Sequence, residues 1–436
     1  MAFCAYFAAM LVLAFMVAPL SPGLSWGMSA AEIAHNAGLG DPRSFITGAL
    51  DISRHGWVTG PNYWLLRLWP PGFMSLEGAL LRMLGEGAPI LLPLLAASAF
   101  CCAIWLSLLR QFLLPLVPPR AASLAPLVPF LFPLTSFFML GPVGLILGET
   151  FAVSFFITGF LLVLLAWRHD SLWLAMGSGL SLAASAYFRS QFELLVTFLT
   201  AGALIVCAVA GGQKILRRGR LLQRASVATM LVAVITAQLA MAPWRYHNYL
   251  DSQKPVWVHT SDLIARNSLT KERELLSLGG EFVVRGGGHL ACKFEPTYCG
   301  KYEPRLFYDA FFQHMGRWVM EKARLLPEYW LAPPAVNALS GVRVDPTSFQ
   351  VLANIVFLMA ILAGLWALWR IRRQPLFAVT AWFVLSYYAS LAGIYTLAHF
   401  EARYFYLPKI FGTVVLLVLL AALASPVPRT RSRSAA

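Results

Sequence analysis

An aspartate opens a short helical pattern soon after the first apolar run. Asp41 begins the stretch DPRSFITGALDISRHG, in which apolar residues recur at helical spacing, and Pro42 follows it directly. An Asp before a Pro is typical of an N-cap and the first residue of a helix. Two interpretations stay open and are compatible: Asp41 caps a helix, or it accepts a proton from an incoming hydroxyl group as a general base. Asp51, on the same predicted helix, is interpreted as a solvated surface group.

A glutamate interrupts the apolar stretch GPVGLILGETFAVSFF. Glu149 lies near the predicted outer end of a helical hairpin in this stretch. Burying a carboxylate at membrane depth is costly unless it is paired or faces a cavity, so an acid there is a candidate functional residue. The alternative is that Glu149 caps the next membrane-spanning helix.

Basic residues leave the predicted spans on the same side as these acids. Arg189 and Glu193, in AYFRSQFE, could pair at helical i,i+4 spacing. Alternatively, Arg189 holds a phosphate, which the planar guanidinium group does well. In APWRYHNY, Arg245 and His247 could bind an anion. The Trp and Tyr residues of that stretch could instead form an interfacial belt.

A third basic site occurs near the end of the chain, in AHFEARYFYLP. It contains Glu401, Arg403 and Tyr404. Positive charge at an outer edge runs against the usual distribution in membrane proteins. The three arginines at 189, 245 and 403 are therefore more informative together than any one of them alone.

The composition requires that these residues belong to a membrane protein. The chain has 436 residues, of which 58% are hydrophobic and 12% are charged, and its mean hydropathy is +0.66. The net charge is +14. The basic residues cluster in short segments between apolar runs, as in cytoplasmic loops, so we expect no nucleic-acid partner.

Apolar runs of about twenty residues predict an all-α polytopic membrane protein with about ten transmembrane helices. With the N-terminus inside, every even-numbered exit falls on Arg-bearing sequence, so both termini are predicted to be cytoplasmic and both long loops lie outside. The predicted spans are 2–20, 88–109, 121–140, 150–167, 172–188, 194–210, 225–242, 351–369, 376–397 and 407–424.

The pattern divides the chain into four parts. Residues 1–242 form an N-terminal transmembrane module, whose long first outer loop (22–87) carries interfacial helices at about 41–55 and 73–84. Residues 243–348 form a small α-rich outer segment, 349–424 form the last transmembrane helices, and 425–436 form a disordered cytoplasmic tail. The first apolar run is interpreted as a retained helix, although VAPLSPGLS leaves cleavage open.

Two cysteines lie in the outer segment. Cys292 and Cys299 flank KFEPTY, on the side of the membrane where disulfides persist, so we predict a disulfide between them. Metal ligation is not favoured, because two cysteines with a single nearby histidine do not complete a zinc site.

The order of these motifs resembles the GT-C class of membrane glycosyltransferases, which includes the protein O-mannosyltransferases and the lipid A aminoarabinose transferases. The similarity covers the span order of nearly the whole chain. The matching elements are Asp41, Phe45, Ala49 and Gly56 followed by WPPG, then Glu149, Arg189, PWRYHNY and ARYFYLP. Departures are Gly40 and Pro42 in place of a second acid beside the aspartate, Ser190 in place of a proline, and His247 in place of an arginine.

The resemblance implies a role for each candidate residue. Asp41 would be the general base toward the acceptor hydroxyl, and Glu149 would assist it or hold a divalent metal ion. The three arginines would hold the phosphate of a polyprenyl-phosphate-sugar donor at the outer face of the bacterial inner membrane. Accessory roles would fall to His247, Glu401 and Tyr404. The acceptor would be a glycan, a lipid or a protein.

Two other functions remain open at this point. A transporter or flippase of a lipid-linked or anionic solute would use similar charges, although it would usually show repeated halves or midplane charges. A non-catalytic membrane protein of the same fold is compatible with the missing second acid beside Asp41.

Overall fold

The computed structural model is helical throughout the residues that it describes. These are 2–18, 20, 23–36, 41–131, 139–215, 224–252, 290–301, 303–331, 348–374, 376–397 and 405–425. The helices are α1 (Ala2–Val17), α2 (Ala30–Asn36), α3 (Asp41–His55), α4 (Leu65–Leu68), α5 (Gly72–Leu84), α6 (Leu91–Leu113), α7 (Pro119–Leu124), α8 (Glu149–His169), α9 (Leu172–Phe188), α10 (Gln191–Ile215), α11 (Arg224–Ser252), α12 (Leu290–Phe294), α13 (Pro304–Gln313), α14 (Met315–Leu331), α15 (Ser348–Arg370), α16 (Leu376–Leu397) and α17 (Tyr406–Ala424).

The predicted polytopic all-α class is confirmed. Within the described part of the chain, seven helices are long and apolar enough to cross a bilayer, namely α6, α8, α10, α11, α15, α16 and α17. Two shorter apolar helices, α1 and α9, occupy the positions of two further predicted spans. Helix α1 packs along α6, and α9 packs against both α8 and α11.

The segment predicted as the third span, 121–140, differs from a continuous helix. After α7 the chain continues as a 3₁₀ helix over Ala125–Leu131, and residues 132–138 lie outside the described part. Pro126 and Pro129 lie in this stretch and lack the N–H that an α-helical hydrogen bond requires. The hydropathy of the segment could not reveal this break.

The first outer loop forms two interfacial helices at the predicted positions. Helix α3 begins at Asp41 and ends before Gly56, whose φ of +80° provides the left-handed turn that stops it. Helix α5 follows the Pro-Pro pair. The two helices pack closely, since a Cβ on Gly78 would lie 2.7 Å from Ile52 Cγ2.

Helix α5 is seated on the ends of two apolar helices. A Cβ on Gly72 would lie 2.5 Å from the carbonyl oxygen of Tyr187, at the end of α9. The Phe73 ring packs against Phe151 of α8, with ring centroids 5.9 Å apart. We use the name rim for one end of the bundle, at which α8 and α10 begin and α9 and α11 finish. The first outer loop therefore rests on the rim.

The second outer region rests on the other half of the bundle. In α14, Trp318 Nε1 donates to the carbonyl of Thr396 at 2.8 Å, and Trp330 Nε1 donates to the carbonyl of Asn354 at 2.9 Å. The ammonium of Lys409, in α17, donates to the Trp330 carbonyl at 2.8 Å. These bonds fix α14 to α15, α16 and α17.

An acid that the sequence analysis passed over lies in α5. The side chain of Glu77 is fully buried, and neither of its carboxyl oxygens has a hydrogen-bond partner among the described residues. Burial raises the pKa of Glu77 well above its ordinary value of 4.5. The folded protein therefore retains a proton at pH values at which the unfolded chain has lost it.

We expect Glu77→Gln to reduce the pH dependence of stability. A raised folded-state pKa stabilises the protein fully below about pH 4.5, and this contribution decreases as the pH rises, by up to about 1.4 kcal/mol per pH unit. Thermal unfolding of the detergent-solubilised protein at pH 5 and pH 8 measures the effect. The melting temperature of the wild type should fall more over this range than that of Glu77→Gln. Glu303→Gln, which changes an exposed glutamate, should behave as the wild type. Equal pH dependence in all three proteins would contradict the assignment.

Candidate functional site

The first feature of the rim is an ion pair between two predicted site residues. Arg189 Nη2 lies 2.7 Å from Glu149 Oε1, and the two side chains are 11% and 16% exposed. Glu149 is the first residue of α8, and Arg189 directly follows α9. The structure therefore joins the candidate acid to a candidate phosphate-binding arginine.

A second ion pair lies at the same end of the bundle. Arg245 Nε donates to Glu193 Oε1 at 2.7 Å, and these side chains are 19% and 6% exposed. Arg245 Nη1 also donates to Gln238, which lies two helical turns earlier in α11. Gln238 in turn donates to Thr200 of α10 at 2.7 Å. The guanidinium is thus positioned by a polar network that crosses from α11 to α10.

The break between α9 and α10 determines which residues pair. The N–H of Phe192 donates to the carbonyl of Arg189 at 3.1 Å, and the N–H of Glu193 donates to the carbonyl of Ser190 at 3.0 Å. These bonds form a tight turn, so Arg189 and Glu193 do not share a continuous helix. The i,i+4 pairing that the sequence allowed is replaced by two pairs to other helices.

The Asp41 helix packs toward the same place. Phe45, one helical turn after Asp41, contacts Phe73 with a centroid distance of 5.3 Å. The Phe73 Cβ would lie 3.1 Å from a Cβ on Gly148, the residue before Glu149. The beginning of α3 is therefore connected to the Glu149–Arg189 pair through one aromatic residue. The position of the Asp41 side chain lies outside the described part of the chain.

His247 lies in an aromatic environment. Its Nε2 is 3.0 Å from the hydroxyl of Tyr63, and its ring stacks on Trp244 with a centroid distance of 5.1 Å and an interplanar angle of 9°. The same loop is held by Arg67, whose Nε and Nη2 donate to Asp251 at 2.9 and 3.1 Å. His247 therefore attaches the first outer loop to the end of α11.

The remaining predicted residues lie elsewhere. Cys292 and Cys299 are joined as a disulfide, with Cα atoms 4.9 Å apart, beside α13 and α14 rather than at the rim. Glu401, Arg403 and Tyr404 lie outside the described residues, so their predicted roles are unchanged.

A buried lysine escaped the sequence analysis. Lys409 is 1% exposed, and its ammonium donates to Asn354 Oδ1 at 2.7 Å while lying 4.8 and 4.7 Å from the ring centroids of Trp330 and Tyr406. Its sequence signal was a single Lys near the start of an otherwise apolar span, directly after the quoted ARYFYLP motif. Glu193 was noticed, but only as a possible partner of Arg189.

The rim offers few ligands to a divalent metal ion. In the described part of the chain, no three side chains of His, Cys, Asp or Glu converge. Glu149 faces a guanidinium, which competes with a cation for its carboxylate. The described residues therefore do not form a metal site by themselves.

Comparisons with known proteins give one structural similarity. No protein-family model matches the chain, and no curated protein matches it. Among solved structures, the chain is similar to the archaeal oligosaccharyltransferase AglB from Archaeoglobus fulgidus in complex with an inhibitory peptide and a dolichol-phosphate, at 11% identity and a TM-score of 0.45. The match covers 97% of this chain and 50% of that one, so this chain spans about half the length of AglB.

The Arg245–Glu193 pair gives a stability prediction. Arg245→Met leaves a carboxylate buried without its guanidinium, which we expect to destabilise the protein by about 3–5 kcal/mol. The double variant Arg245→Met/Glu193→Leu removes both charges and should recover most of this loss. Thermal or denaturant unfolding in detergent measures both.

Arg305→Met is the matched control, because its ion pair with Asp309 is exposed and exposed pairs contribute little. A double variant as unstable as Arg245→Met alone would show that charge pairing is not the stabilising interaction.

Proposed function

We propose that this membrane protein is a GT-C type glycosyltransferase. It transfers a sugar from a polyprenyl-phosphate-linked donor to an acceptor hydroxyl at the outer face of the inner membrane, with both of its own termini in the cytoplasm. The observation that carries the proposal is the rim itself. Two arginines, each paired with a carboxylate, lie at the same end of the bundle, and Phe73 connects the helix that begins with Asp41 to one of these pairs.

The arginines suit the phosphate of a lipid carrier. A phosphate on a membrane-embedded chain arrives at the level of the span ends, where Arg189 and Arg245 lie. Charge-assisted hydrogen bonds from guanidinium to phosphate are short and strong, and they can be bidentate. Because each guanidinium already contacts a carboxylate, the phosphate would displace that carboxylate from some of the guanidinium N–H groups. Arg403 is proposed as a third contact, on the resemblance alone.

The carrier's hydrocarbon chain is proposed to enter at a small apolar cleft between α10, α16 and α17. Its walls include Phe192, Leu391 and Leu407, and its cavity volume is about 20 Å³, which is room for about one water molecule, so the chain would bind only where these helices separate. Phe192 is the residue before Glu193, so the cleft opens next to the second ion pair. A lipid phosphate has this same arrangement of a charged end beside an apolar chain.

The proposed reaction needs one proton acceptor and stabilisation of one leaving group. The acceptor oxygen attacks the anomeric carbon as its proton moves to the Asp41 carboxylate. The bond from that carbon to the phosphate oxygen breaks, and its electron pair leaves with the polyprenyl phosphate. The arginines stabilise the negative charge that develops there, so positioning and electrostatics supply much of the catalysis.

Glu149 has a proposed role that follows from its pairing. When Arg189 donates some of its hydrogen bonds to the phosphate, the Glu149 carboxylate loses part of its counter-charge. Glu149 then accepts a hydrogen bond from the hydroxyl of the sugar-accepting substrate more strongly. Donor binding would then prepare the site for the acceptor. The divalent ion that the resemblance places at Glu149 stays a prediction, and no step above requires it.

Asp41→Asn tests the chemical step. With a radiolabelled polyprenyl-phosphate-sugar in proteoliposomes and an extract of cell-surface acceptors, we expect transfer to fall by about 10²-fold or more, as for loss of a general base. Donor binding should be unchanged. Asp309→Asn, an exposed aspartate in α13, is the isosteric control and should transfer as the wild type does.

The assay also distinguishes the other two functions. Movement of the labelled lipid across the bilayer without transfer would indicate a flippase, and neither movement nor transfer would indicate a non-catalytic protein. Equal turnover by wild type and Asp41→Asn would remove Asp41 from the mechanism.

Glu149→Gln tests the exchange of partners at Arg189. Removing the competing carboxylate should tighten binding of a short polyprenyl phosphate, such as farnesyl phosphate, by about tenfold, since a hydrogen bond to a charged group contributes about 1.5–3 kcal/mol. Transfer should decrease in the same variant. Calorimetric titration of wild type, Glu149→Gln and the exposed control Glu303→Gln measures the affinity. Weaker or unchanged binding in Glu149→Gln would contradict the exchange.

A further inference from the structure

The connection between α3 and α5 lies against the end of α11. It is fixed to the end of α11 at two points, by the Tyr63–His247 hydrogen bond of 3.0 Å and by the fork of Arg67 on Asp251. Both α11 partners lie within six residues of Arg245 in the chain. The surface formed by this connection is therefore held at the same end of α11 as the proposed phosphate site.

Aromatic rings line this surface. The Trp57 indole lies edge-to-face with the His247 ring, with centroids 5.7 Å apart, and His247 stacks on Trp244. Trp57 and Trp64 remain 36% and 48% exposed. We call Trp57, Tyr63, Trp64, Trp244 and His247 the aromatic platform. Its two exposed indoles belong to an extramembrane connection rather than to the end of a span.

Polar groups that retain hydrogen-bonding capacity among the described residues lie in this connection and in the adjoining end of α3. Asp51 Oδ2 accepts from the Thr59 N–H at 3.3 Å and from Asn62 Nδ2 at 3.2 Å. These bonds fix the orientation of both planar side chains and leave Asp51 Oδ1 and Asn62 Oδ1 as acceptors. Arg67 uses Nε and Nη2 on Asp251, which leaves Nη1 as a donor on a side chain that is 57% exposed.

This combination matches the chemistry of a sugar ring. A pyranose has C–H groups on its faces, which pack against an indole, and vicinal hydroxyls around its edge, which bind planar Asp, Asn and Arg side chains. A lipid acyl chain would use the indoles alone and would leave the ordered polar groups without a role. The platform and Arg245 lie at the same end of α11, so a sugar bound at the platform would lie at the same level of the protein as the proposed phosphate site.

We infer that the aromatic platform and the polar groups of Asp51, Asn62 and Arg67 form a carbohydrate subsite that binds one pyranose ring. The inference takes its ligand class from the proposed function and adds a location and a mode of recognition to it. The ring belongs either to the donor or to the acceptor, and the shared chemistry is the same in both cases. Trp57 supplies the stacking face, and the three planar side chains bind the ring hydroxyls.

Saturation-transfer difference NMR on the full-length protein in detergent tests the subsite directly. The probes are the methyl pyranosides of glucose, mannose, galactose, N-acetylglucosamine and 4-amino-4-deoxyarabinose. We expect transfer to the ring C–H protons of at least one glycoside. Trp57→Ala should raise its dissociation constant by about tenfold, the upper range for one aromatic contact. Asn62→Ala is a second variant that retains the indole and should also weaken binding.

Trp366→Ala is the control, because Trp366 is a 54% exposed indole on the apolar α15 helix and removing it should leave glycoside binding unchanged. Binding of no glycoside, or equal binding by wild type, Trp57→Ala and Asn62→Ala, would overturn the subsite. Binding that persists at saturating farnesyl phosphate assigns the ring to the acceptor, and enhanced affinity for a farnesyl-phosphate-linked sugar over farnesyl phosphate assigns it to the donor.

The outcome is separable from that of the transferase proposal. Glycoside binding requires no transfer, so a protein that binds the probes through Trp57 but transfers no sugar would retain the subsite and lose only the enzymatic function. A protein that transfers sugar with equal efficiency in wild type, Trp57→Ala and Asn62→Ala would retain the function and lose the subsite.

Discussion

Pairing of guanidinium with carboxylate at the ends of the spans is the interaction on which the rim depends. A single charge at this depth would be costly, because neither water nor lipid compensates it fully. Arg189 balances the charge of Glu149, and Arg245 balances that of Glu193. The Gln238–Thr200 hydrogen bond extends the second pair toward the bundle interior. The protein can therefore keep two arginines beside the bilayer without a bound anion. The same pairing makes their positive charge available to a ligand that outcompetes the carboxylate.

Aromatic packing brings the first outer loop to these pairs. Phe73 lies between Phe45 of α3 and Phe151 of α8, and the glycines at 72 and 148 allow the backbones to approach closely. A side chain at Gly72 would meet the Tyr187 carbonyl rather than a flexible group. Small residues at the contact and one large ring in the centre thus determine where the Asp41 helix lies.

Local sequence rules predicted two helices of the first outer loop, α3 and α5, but neither of the short helices α2 and α4. The Asp41-Pro42 start and the Gly56 stop of α3 depend only on backbone preferences, as does the start of α5 after two prolines. Nine of the ten predicted spans correspond to helices, and eight of these agree within about five residues at each end, whereas α11 continues to Ser252, past the predicted boundary at 242. The exception, at 121–140, arose because hydropathy measures apolar character and does not report the N–H groups that Pro126 and Pro129 lack.

The partners within the site could not be predicted in the same way. Arg189 pairs across 40 residues of sequence and Arg245 across 52, and the choice depends on the turn at Ser190, which a helical-wheel argument ignores. Glu77 and Lys409 were passed over because each is one polar residue within an apolar pattern. The sequence indicated which residues are expensive to bury, whereas the tertiary structure determined which of them lie together.

The two extramembrane regions are attached to different helices of one continuous core. The first outer loop is fastened to the helices that carry the ion pairs, whereas the ammonium of Lys409 fastens α14 to the last three spans. Deeper in the bundle, Trp382 Nε1 of α16 donates to the carbonyl of Leu199 in α10 at 2.8 Å, and Phe156 of α8 packs against Phe383 and Phe411. Each extramembrane region can therefore shift with its own helices only as far as this shared core allows.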